Sequence, residues 1–209
     1  MITDRRRLGS DGEDRLAGRV GTAVRAGVHL VQVRERDLDG GPLLRLVARC
    51  VDAARGTRGR ILVNDRVDVA LAAGAHGVHL RADSVAASRV RRIVPPGFLI
   101  GRSVHSVSQA MRTAEDGGTD YLIFGTVFPS TSKPGQAAAG ATALAEVVAA
   151  TTLPVLAVGG VTVATAADVA RAGAAGIAAI ALFAHGSDDD LHTAVAAVIT
   201  AFDTPAGVP

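Results

Sequence analysis

Short apolar runs alternate along the chain with longer stretches in which apolar residues recur at helical spacing. The continuously apolar runs at residues 61–63 and 155–158 are typical of parallel strands that are covered on both faces. Glycines follow several of the helical stretches, where helices commonly end. The pattern predicts seven strands, over residues 28–34, 60–64, 77–80, 98–101, 121–125, 154–158 and 176–182. It also predicts helices near residues 12–26, 40–54, 66–73, 84–93, 106–117, 141–151, 162–172 and 190–202.

This alternation predicts an α/β fold with a parallel sheet. Residues 1–3 fit the end of a further, short first strand, and eight βα units make a (β/α)8 TIM barrel. An open doubly wound sheet is the alternative, but no glycine-rich dinucleotide fingerprint follows the first strand. Polar residues instead follow many strands, and in a barrel these positions share one mouth. We therefore expect one barrel domain over residues 1–203 and a frayed tail at 204–209.

The composition excludes several classes of protein. Hydrophobic residues make up 48% and charged residues 20%, so the chain is not generally disordered. It contains no apolar run of the roughly 20 residues that cross a bilayer and no secretory signal pattern. With a single cysteine, a cytoplasmic location is expected. The net charge of +2 and the 3% aromatic content argue against a nucleic-acid partner, and a homo-oligomer is left open.

The first strand carries a candidate anion receptor. Gln32, Arg34 and Arg36 alternate along it and so share one side. Guanidinium groups bind phosphate through paired N–H donors. The alternative is a surface network in which the two arginines pair with Glu35.

Other polar residues also follow predicted strands. Asp65 fits either a Mg²⁺ ligand or the N-cap of the next helix. Gly159 and Gly160 fit either phosphate binding through backbone N–H groups at a helix start or a tight turn, and residues 180–183 would complete such a phosphate cup. Ser103 has no Gly-x-Ser-x-Gly elbow, so a hydrolase triad is not indicated.

The loop after the strand at 121–125 contains Ser130, Ser132 and Lys133. Lys133 is the one lysine among the 22 Lys and Arg residues. Either this is drift, or the site needs a compact ammonium where a planar guanidinium does not fit. The second interpretation predicts a loop that closes over phosphate groups.

Taken together, these motifs resemble the thiamine phosphate synthase / TenI superfamily. The segments that carry the resemblance run in family order: ITDR at 2–5, QVRER at 32–36, VNDRVD at 63–68, GVHL at 77–80, IGRSVHS at 100–106, FGTVFP at 124–129, SKP at 132–134 and VGGVT at 158–162. The resemblance implies a (β/α)8 barrel and a transferase of thiamine biosynthesis. Synthases of this superfamily join hydroxymethylpyrimidine diphosphate to thiazole phosphate and release diphosphate.

The resemblance also implies roles for individual residues. The positions that hold the diphosphate match Gln32, Arg34, Arg36, Asn64 and Lys133. Hydroxyl positions around the diphosphate and the pyrimidine match Ser103, Ser130 and Ser132, and the thiazole-phosphate contact matches Gly160, which follows Gly159. Of these, Lys133, Arg34 and Ser103 are the catalytic candidates. Asp65 matches a Mg²⁺ ligand.

The chain departs from the synthase pattern at several positions. Synthases usually read Gly-Gln-Glu-Asp where this chain has Arg81-Ala82-Asp83-Ser84, and the last Asp is a second metal ligand. Ser84 takes that position, and Asp83, one place earlier, is the candidate replacement. Arg36 replaces a usual lysine and Ala181 a usual serine.

The segment at 100–106 is closer to the TenI branch, a thiazole tautomerase, although that branch has a His where this chain has Thr126. A tautomerase and a non-catalytic barrel that binds thiazole phosphate are therefore the alternatives to a synthase.

The position of Lys133 on a loop yields a first prediction. A loop cation can strengthen its contacts as charge builds on the leaving diphosphate, and only such contacts raise turnover. We expect Lys133→Ala to lower turnover more than substrate binding, by about 2–4 kcal/mol, in steady-state kinetics. Arg34→Ala should instead weaken diphosphate binding, and Lys133→Arg should restore only part of the rate. Wild-type turnover in Lys133→Ala would mean that the lone lysine is drift.

Overall fold

The computed structural model describes residues 1–9, 11–130 and 137–203. In these ranges it contains one parallel sheet of seven strands whose order follows the chain. The strands are β1 Leu30–Val33, β2 Arg60–Asn64, β3 Gly77–Leu80, β4 Leu99–Val104, β5 Tyr121–Gly125, β6 Val155–Val158 and β7 Gly176–Ala178. All seven predicted strands are present.

Helices connect the strands as the sequence predicts. They are α1 Gly12–Arg25, α2 Gly40–Ala53, α3 Val67–Ala72, α4 Ala87–Arg91, α5 Val107–Asp116, α6 Gly140–Ala149, α7 Ala166–Arg171, α8 Ala181–Ala184 and α9 Asp188–Asp203, with a short 3-10 helix at Arg5–Leu8. In the part of the chain that the structure describes, no helix is long and apolar enough to span a membrane.

Several predicted element boundaries are wrong: the strand predicted at 98–101 extends to Val104, and the helix predicted at 84–93 is confined to Ala87–Arg91. The two largest differences are of four residues each. The predicted strand 176–182 ends at Ala178, because Ile180 already has helical backbone angles and α8 follows at once. The predicted helix 162–172 begins only at Ala166. The N–H of Thr162 is bound by the hydroxyl of Thr165, at 2.9 Å, which closes a turn before the helix.

The predicted short first strand is reduced to a single bridge. Ile2 bridges to Gln32 in parallel orientation. The N–H of Gln32 donates to the carbonyl of Met1 at 2.9 Å, and the N–H of Thr3 donates to the carbonyl of Gln32 at 3.0 Å. These bonds fix residues 1–3 beside β1.

The chain divides into two compact units. The first unit comprises Met1–His79, Ile93–Leu99 and Ile180–Ala196, and the second comprises the described residues of 80–92, 100–179 and 197–203. In the first unit β1 pairs with β2 from Leu30↔Arg60 to Val33↔Val63, and the facing apolar residues Val31, Ile61 and Val63 are fully buried. In the second unit, β4 to β7 pack their apolar residues with α5, α6 and α7 around Leu122, Phe124 and Leu144.

Candidate functional site

Gln32 and Asn64 lie at the ends of neighbouring strands in the first unit. The Nε2 group of Gln32 donates to Oδ1 of Asn64 at 2.8 Å. Gln32 is buried, and its Oε1 has no hydrogen-bond partner among the described residues. A buried acceptor without a donor costs about 1–3 kcal/mol, which a ligand that donates a hydrogen bond would recover. This atom therefore marks a place where a ligand donor fits.

Arg34 follows β1 and is partly buried. Burial, and then the nearby charge of Arg36, lowers its pKa. In the described ranges, neither guanidinium group forms an ion pair or a hydrogen bond. Two neighbouring guanidinium groups whose donors are not used by the described residues suit an oxyanion receptor.

Glu35 lies between these arginines in the sequence, but its carboxylate binds other residues. Its carboxylate is 4% exposed. It accepts hydrogen bonds from the hydroxyl of Thr3 at 2.5 Å, from Nη1 of Arg5 at 3.1 Å and from the N–H of Arg5 at 3.2 Å. The surface network considered from the sequence, in which Glu35 pairs with Arg34 and Arg36, is therefore not formed.

Arg5 also binds the second carboxylate of this segment. Its Nη1 and Nη2 groups donate to the two oxygens of Asp37 at 2.8 and 2.9 Å, and this contact lowers the pKa of Asp37 to about 2. The Thr3 hydroxyl, which donates to Glu35, accepts the N–H of Arg34 at 2.9 Å. One guanidinium group thus binds both of the carboxylates that alternate with Arg34 and Arg36. Sequence analysis missed this role of Thr3 and Arg5, although two carboxylates between two arginines signal the need for a further cation.

Asp65 has an unusual backbone conformation. Its φ is 60°, in the left-handed region, and its N–H donates to the carbonyl of His79 at 2.9 Å. A non-glycine residue in such a region costs of order 1–3 kcal/mol, and such residues cluster at functional sites. The N-cap of α3 is Arg66, which forms no side-chain cap, so the interpretation of Asp65 as the helix cap is wrong.

The loop that follows β3 in the second unit carries Asp83. Nε and Nη2 of Arg81 donate to the two oxygens of Asp83 at 2.9 and 2.5 Å, which lowers the pKa of this carboxyl. The N–H of Arg81 donates to the hydroxyl of Ser84 at 2.9 Å. Arg102 donates to the carbonyls of Ala82, Ser84 and Val85 at 3.0, 3.0 and 2.8 Å. Asp83 is thus engaged by a guanidinium group, and the described residues contain no cluster of three or more metal-binding side chains.

Ser103 lies near the end of β4, and His105 directly follows the strand. Ser103 pairs in register with Ile123 of β5. The Nδ1 atom of His105 lies 2.7 Å from the carbonyl oxygen of Gly125. Because a carbonyl only accepts, Nδ1 carries the proton and Nε2 is left as an acceptor in the neutral ring.

The glycine pair after β6 is packed against the chain that leaves β5. Gly159 and Gly160 have φ values of 95° and 64°, which favour glycine. A Cβ atom on Gly160 would lie 2.6 Å from the carbonyl oxygen of Phe128 and closer still to that of Pro129. The N–H of Phe128 donates to the carbonyl of Gly159 at 3.0 Å.

The N–H of Gly160 has no acceptor within the described part of the chain. Since α7 begins at Ala166, this N–H belongs to a glycine turn and not to a helix start, which corrects the sequence interpretation. Ser130 lies at the end of a described range, whereas Ser132, Lys133 and the tail 204–209 lie outside the described residues.

In the first unit, guanidinium groups with no partner among the described residues follow a parallel strand, and this arrangement is typical of a phosphate-binding α/β enzyme. The family model for thiamine monophosphate synthase matches residues 1–183, and the chain belongs to that family. A thiamine-phosphate synthase of Roseiflexus castenholzii is 41% identical over 167 residues, 79% of this chain and 72% of that protein. One of Methanoculleus marisnigri is 44% identical over 146 residues, 68% of this chain and 67% of that protein.

A solved structure supports the fold class. The thiamine phosphate pyrophosphorylase of Pyrococcus furiosus superposes with a TM-score of 0.82 at 28% identity, over 99% of this chain and 95% of that one. These similarities confirm the superfamily, the (β/α)8 barrel class and the prediction of a thiamine-biosynthesis transferase.

The role of Arg5 can be tested by diphosphate binding. In Arg5→Ala, Glu35 and Asp37 lose their cation and are free to pair with Arg34 and Arg36. We expect the affinity for inorganic diphosphate, measured by calorimetry, to fall about tenfold, the effect of losing one charge-assisted contact. Arg6→Ala, which removes an exposed cation bound to Asp4, is the charge-matched control.

A second variant separates this effect from destabilisation. Asp37→Asn in the Arg5→Ala background removes one of the freed carboxylates and should recover part of the affinity. Thermal unfolding of each variant shows whether the protein is folded at the temperature of the titration. Unchanged diphosphate affinity in folded Arg5→Ala would contradict the role given to Arg5.

Proposed function

We propose that this chain catalyses the synthase reaction, joining hydroxymethylpyrimidine diphosphate to thiazole phosphate with release of diphosphate. The observation that carries the proposal is the pair Arg34 and Arg36, whose neighbouring carboxylates are both bound by Arg5. A receptor of this charge suits a diphosphate, and the family relatives are named as thiamine-phosphate synthases.

In this reaction, the bond between the pyrimidine methylene carbon and the diphosphate oxygen breaks first. The electron pair leaves with the diphosphate, and the pyrimidine methylene becomes a cation. Arg34 and Arg36 stabilise the charge that develops on the leaving group, as preorganised donors do. The orphaned Oε1 of Gln32 would accept a hydrogen bond from an N–H group of the pyrimidine substrate.

The second half of the reaction forms the new carbon–nitrogen bond. The thiazole nitrogen donates its electron pair to the methylene cation, which gives the thiazolium product without a proton transfer. The N–H of Gly160, which has no acceptor among the described residues, would hold the phosphate of the thiazole substrate, as backbone donors in turns do. Ser103, Ser130, Ser132 and Lys133 complete the proposed site on the basis of the family motifs.

Mg²⁺ fits this site through Asp65. Its carboxylate is a hard oxygen ligand, and its backbone is in the left-handed region. The ion would neutralise charge on the departing diphosphate. Asp83 adds a ligand only if its contact with Arg81 opens, because both of its oxygens accept from that guanidinium. A cytoplasmic location completes the proposal, since the single cysteine, Cys50, is buried and unpaired.

The function is tested by incubating the chain with both phosphorylated substrates and Mg²⁺. Formation of thiamine phosphate with an equal amount of diphosphate supports the proposal. Consumption of the thiazole tautomer without the pyrimidine substrate would instead show a TenI-like tautomerase. Binding of thiazole phosphate with neither reaction would show a binding protein and would refute catalysis.

The metal site yields a separate prediction. With Asp65 as the one carboxylate ligand assigned here, Mg²⁺ should bind weakly to the substrate-free protein and more tightly when diphosphate supplies further oxygen ligands, because Mg²⁺ gives up its water reluctantly. Calorimetric titration of Mg²⁺ with and without inorganic diphosphate measures both states. We expect Asp65→Asn to remove the diphosphate-dependent binding and Asp83→Asn to retain it. Micromolar Mg²⁺ binding to the substrate-free protein would contradict this prediction.

A further inference from the structure

A cleft of about 660 Å³ opens in the first unit, along one face of α1. Arg7 and Leu8 line one end, and the turn at residues 184–188 lines the opposite wall. None of the residues assigned above to the proposed reaction lines it. Its volume lies within the range of small-molecule sites, about 300–1,000 Å³.

The charge of the cleft is strongly one-sided. Four guanidinium groups line it, those of Arg7, Arg15, Arg19 and Arg25, against the single carboxylate of Asp188. That carboxylate is already engaged, because Oδ1 accepts from Arg19 at 3.1 Å and Oδ2 accepts from the hydroxyl of Thr22 at 3.2 Å.

Arg19 has a structural task. It donates to the carbonyls of Phe183, His185 and Ser187 at 2.9, 2.7 and 3.2 Å, which fastens the turn at 184–188 to α1. Its side chain is 9% exposed. The wall of the cleft is therefore held in place by Arg19, and the other three arginines are left for a ligand.

Those three cations keep most of their donors unused. Arg15 uses Nη1 on the carbonyl of Leu8 at 2.8 Å, and Arg7 uses Nε on Asp4 at 3.2 Å. Arg25 forms no hydrogen bond or ion pair with any described residue. Each guanidinium has five N–H donors in a fixed fork, so these groups can bind phosphate oxygens in pairs.

Gly18 is an independent sign that something occupies the cleft. It lies inside α1, where glycine costs roughly 1 kcal/mol of helix stability relative to alanine. A Cβ atom at this position would meet no atom of the described protein within 4 Å, so internal packing does not require glycine. Gly21 differs, because a Cβ atom there would lie 3.1 Å from Nη1 of Arg25 and in van der Waals contact with Ala53 of α2 at 3.5 Å. The space left by Gly18 opens into the cleft, between the positions of the cations.

The spacing along α1 indicates the size of the ligand. Residues 15, 18, 22 and 25 follow helical spacing and form one stripe. Arg15 and Arg25 lie ten residues apart in α1, roughly 15 Å along the axis. The contact of Arg15 with Leu8 places a second cation, Arg7, at the same end. A single phosphate would reach one end only, whereas a diphosphate joined to a larger organic group can reach both.

From these observations, we propose that the cleft along α1 is a second binding site of this protein, which takes a small molecule of nucleotide size that carries a diphosphate group. Arg7 and Arg15 hold the diphosphate, the body of the ligand lies over Gly18, and Arg25 meets a polar group at the far end. The site is separate from the receptor of Arg34 and Arg36.

The probe for this site is ADP, titrated calorimetrically into the full chain without Mg²⁺. We expect saturable binding at this cleft, apart from any binding of the ADP diphosphate at Arg34 and Arg36. The affinity of the cleft should fall about tenfold in Arg15→Ala and in Arg25→Ala, the effect of losing one charge-assisted contact. Arg89→Ala, an exposed arginine of α4 outside the cleft, removes the same charge and should bind ADP as the wild type does. Arg34→Ala should also retain ADP binding.

Gly18→Ala provides the most specific test, because it should raise the stability of the protein and lower its affinity for ADP. Alanine should raise the unfolding temperature of the ligand-free chain by roughly 2–4 °C. The added methyl group should lower the affinity for ADP. A stabilised Gly18→Ala variant with full ADP affinity would overturn the proposal. No saturable ADP binding to the wild type, or binding that Arg34→Ala abolishes and Arg15→Ala leaves intact, would overturn it as well.

Discussion

The first unit depends on the buried carboxylate of Glu35. Removing a carboxylate from water is costly unless it is paired and fully hydrogen-bonded, and Thr3 and Arg5 meet that requirement. The same bonds hold the N-terminal segment beside β1, which a single bridge at Ile2 would hold only weakly. The same contacts therefore serve the fold and the site. The Glu35 carboxylate holds residues 1–5 beside β1, and because it binds Arg5 it leaves Arg34 and Arg36 to bind an anion.

The strands could be predicted from the sequence because each is a short apolar run between clear helix ends. The largest errors in the predicted boundaries arose where the backbone turns although the residue types continue the pattern of a strand or a helix. Residues 179–182 are as apolar as the strand before them, yet Ile180 turns the chain into α8. At Thr162 the polar residues suggest a helix start, but the Thr165 hydroxyl binds the Thr162 N–H first. A side-chain hydroxyl that binds a backbone N–H does not change the spacing of apolar residues, so the sequence pattern does not show it.

Candidate site residues could be found by residue type and by position after strands, but their partners could not. From the sequence, Asp65 fits a helix cap and a Mg²⁺ ligand equally well, and only the structure, in which Arg66 is the N-cap of α3, excludes the cap. Asp83 is suitable for a metal by type alone, and its contact with Arg81 becomes visible only in three dimensions. The pairing of Arg5 with Glu35 joins residues 30 positions apart, beyond any local pattern.

The glycine turn after β6 has a consequence for how this fold can change. Its contact with the loop after β5 is made by backbone atoms, through the Phe128–Gly159 hydrogen bond and the close approach of Gly160 to two carbonyls. The exposed side chain of Pro129 can therefore be exchanged without altering the position of the Gly160 N–H, whereas Val127 is buried in the core and any side chain on either glycine would push the two loops apart. A library that diversifies the loop after β5 and keeps both glycines would alter the surroundings of a bound phosphate while leaving its main-chain donor in place.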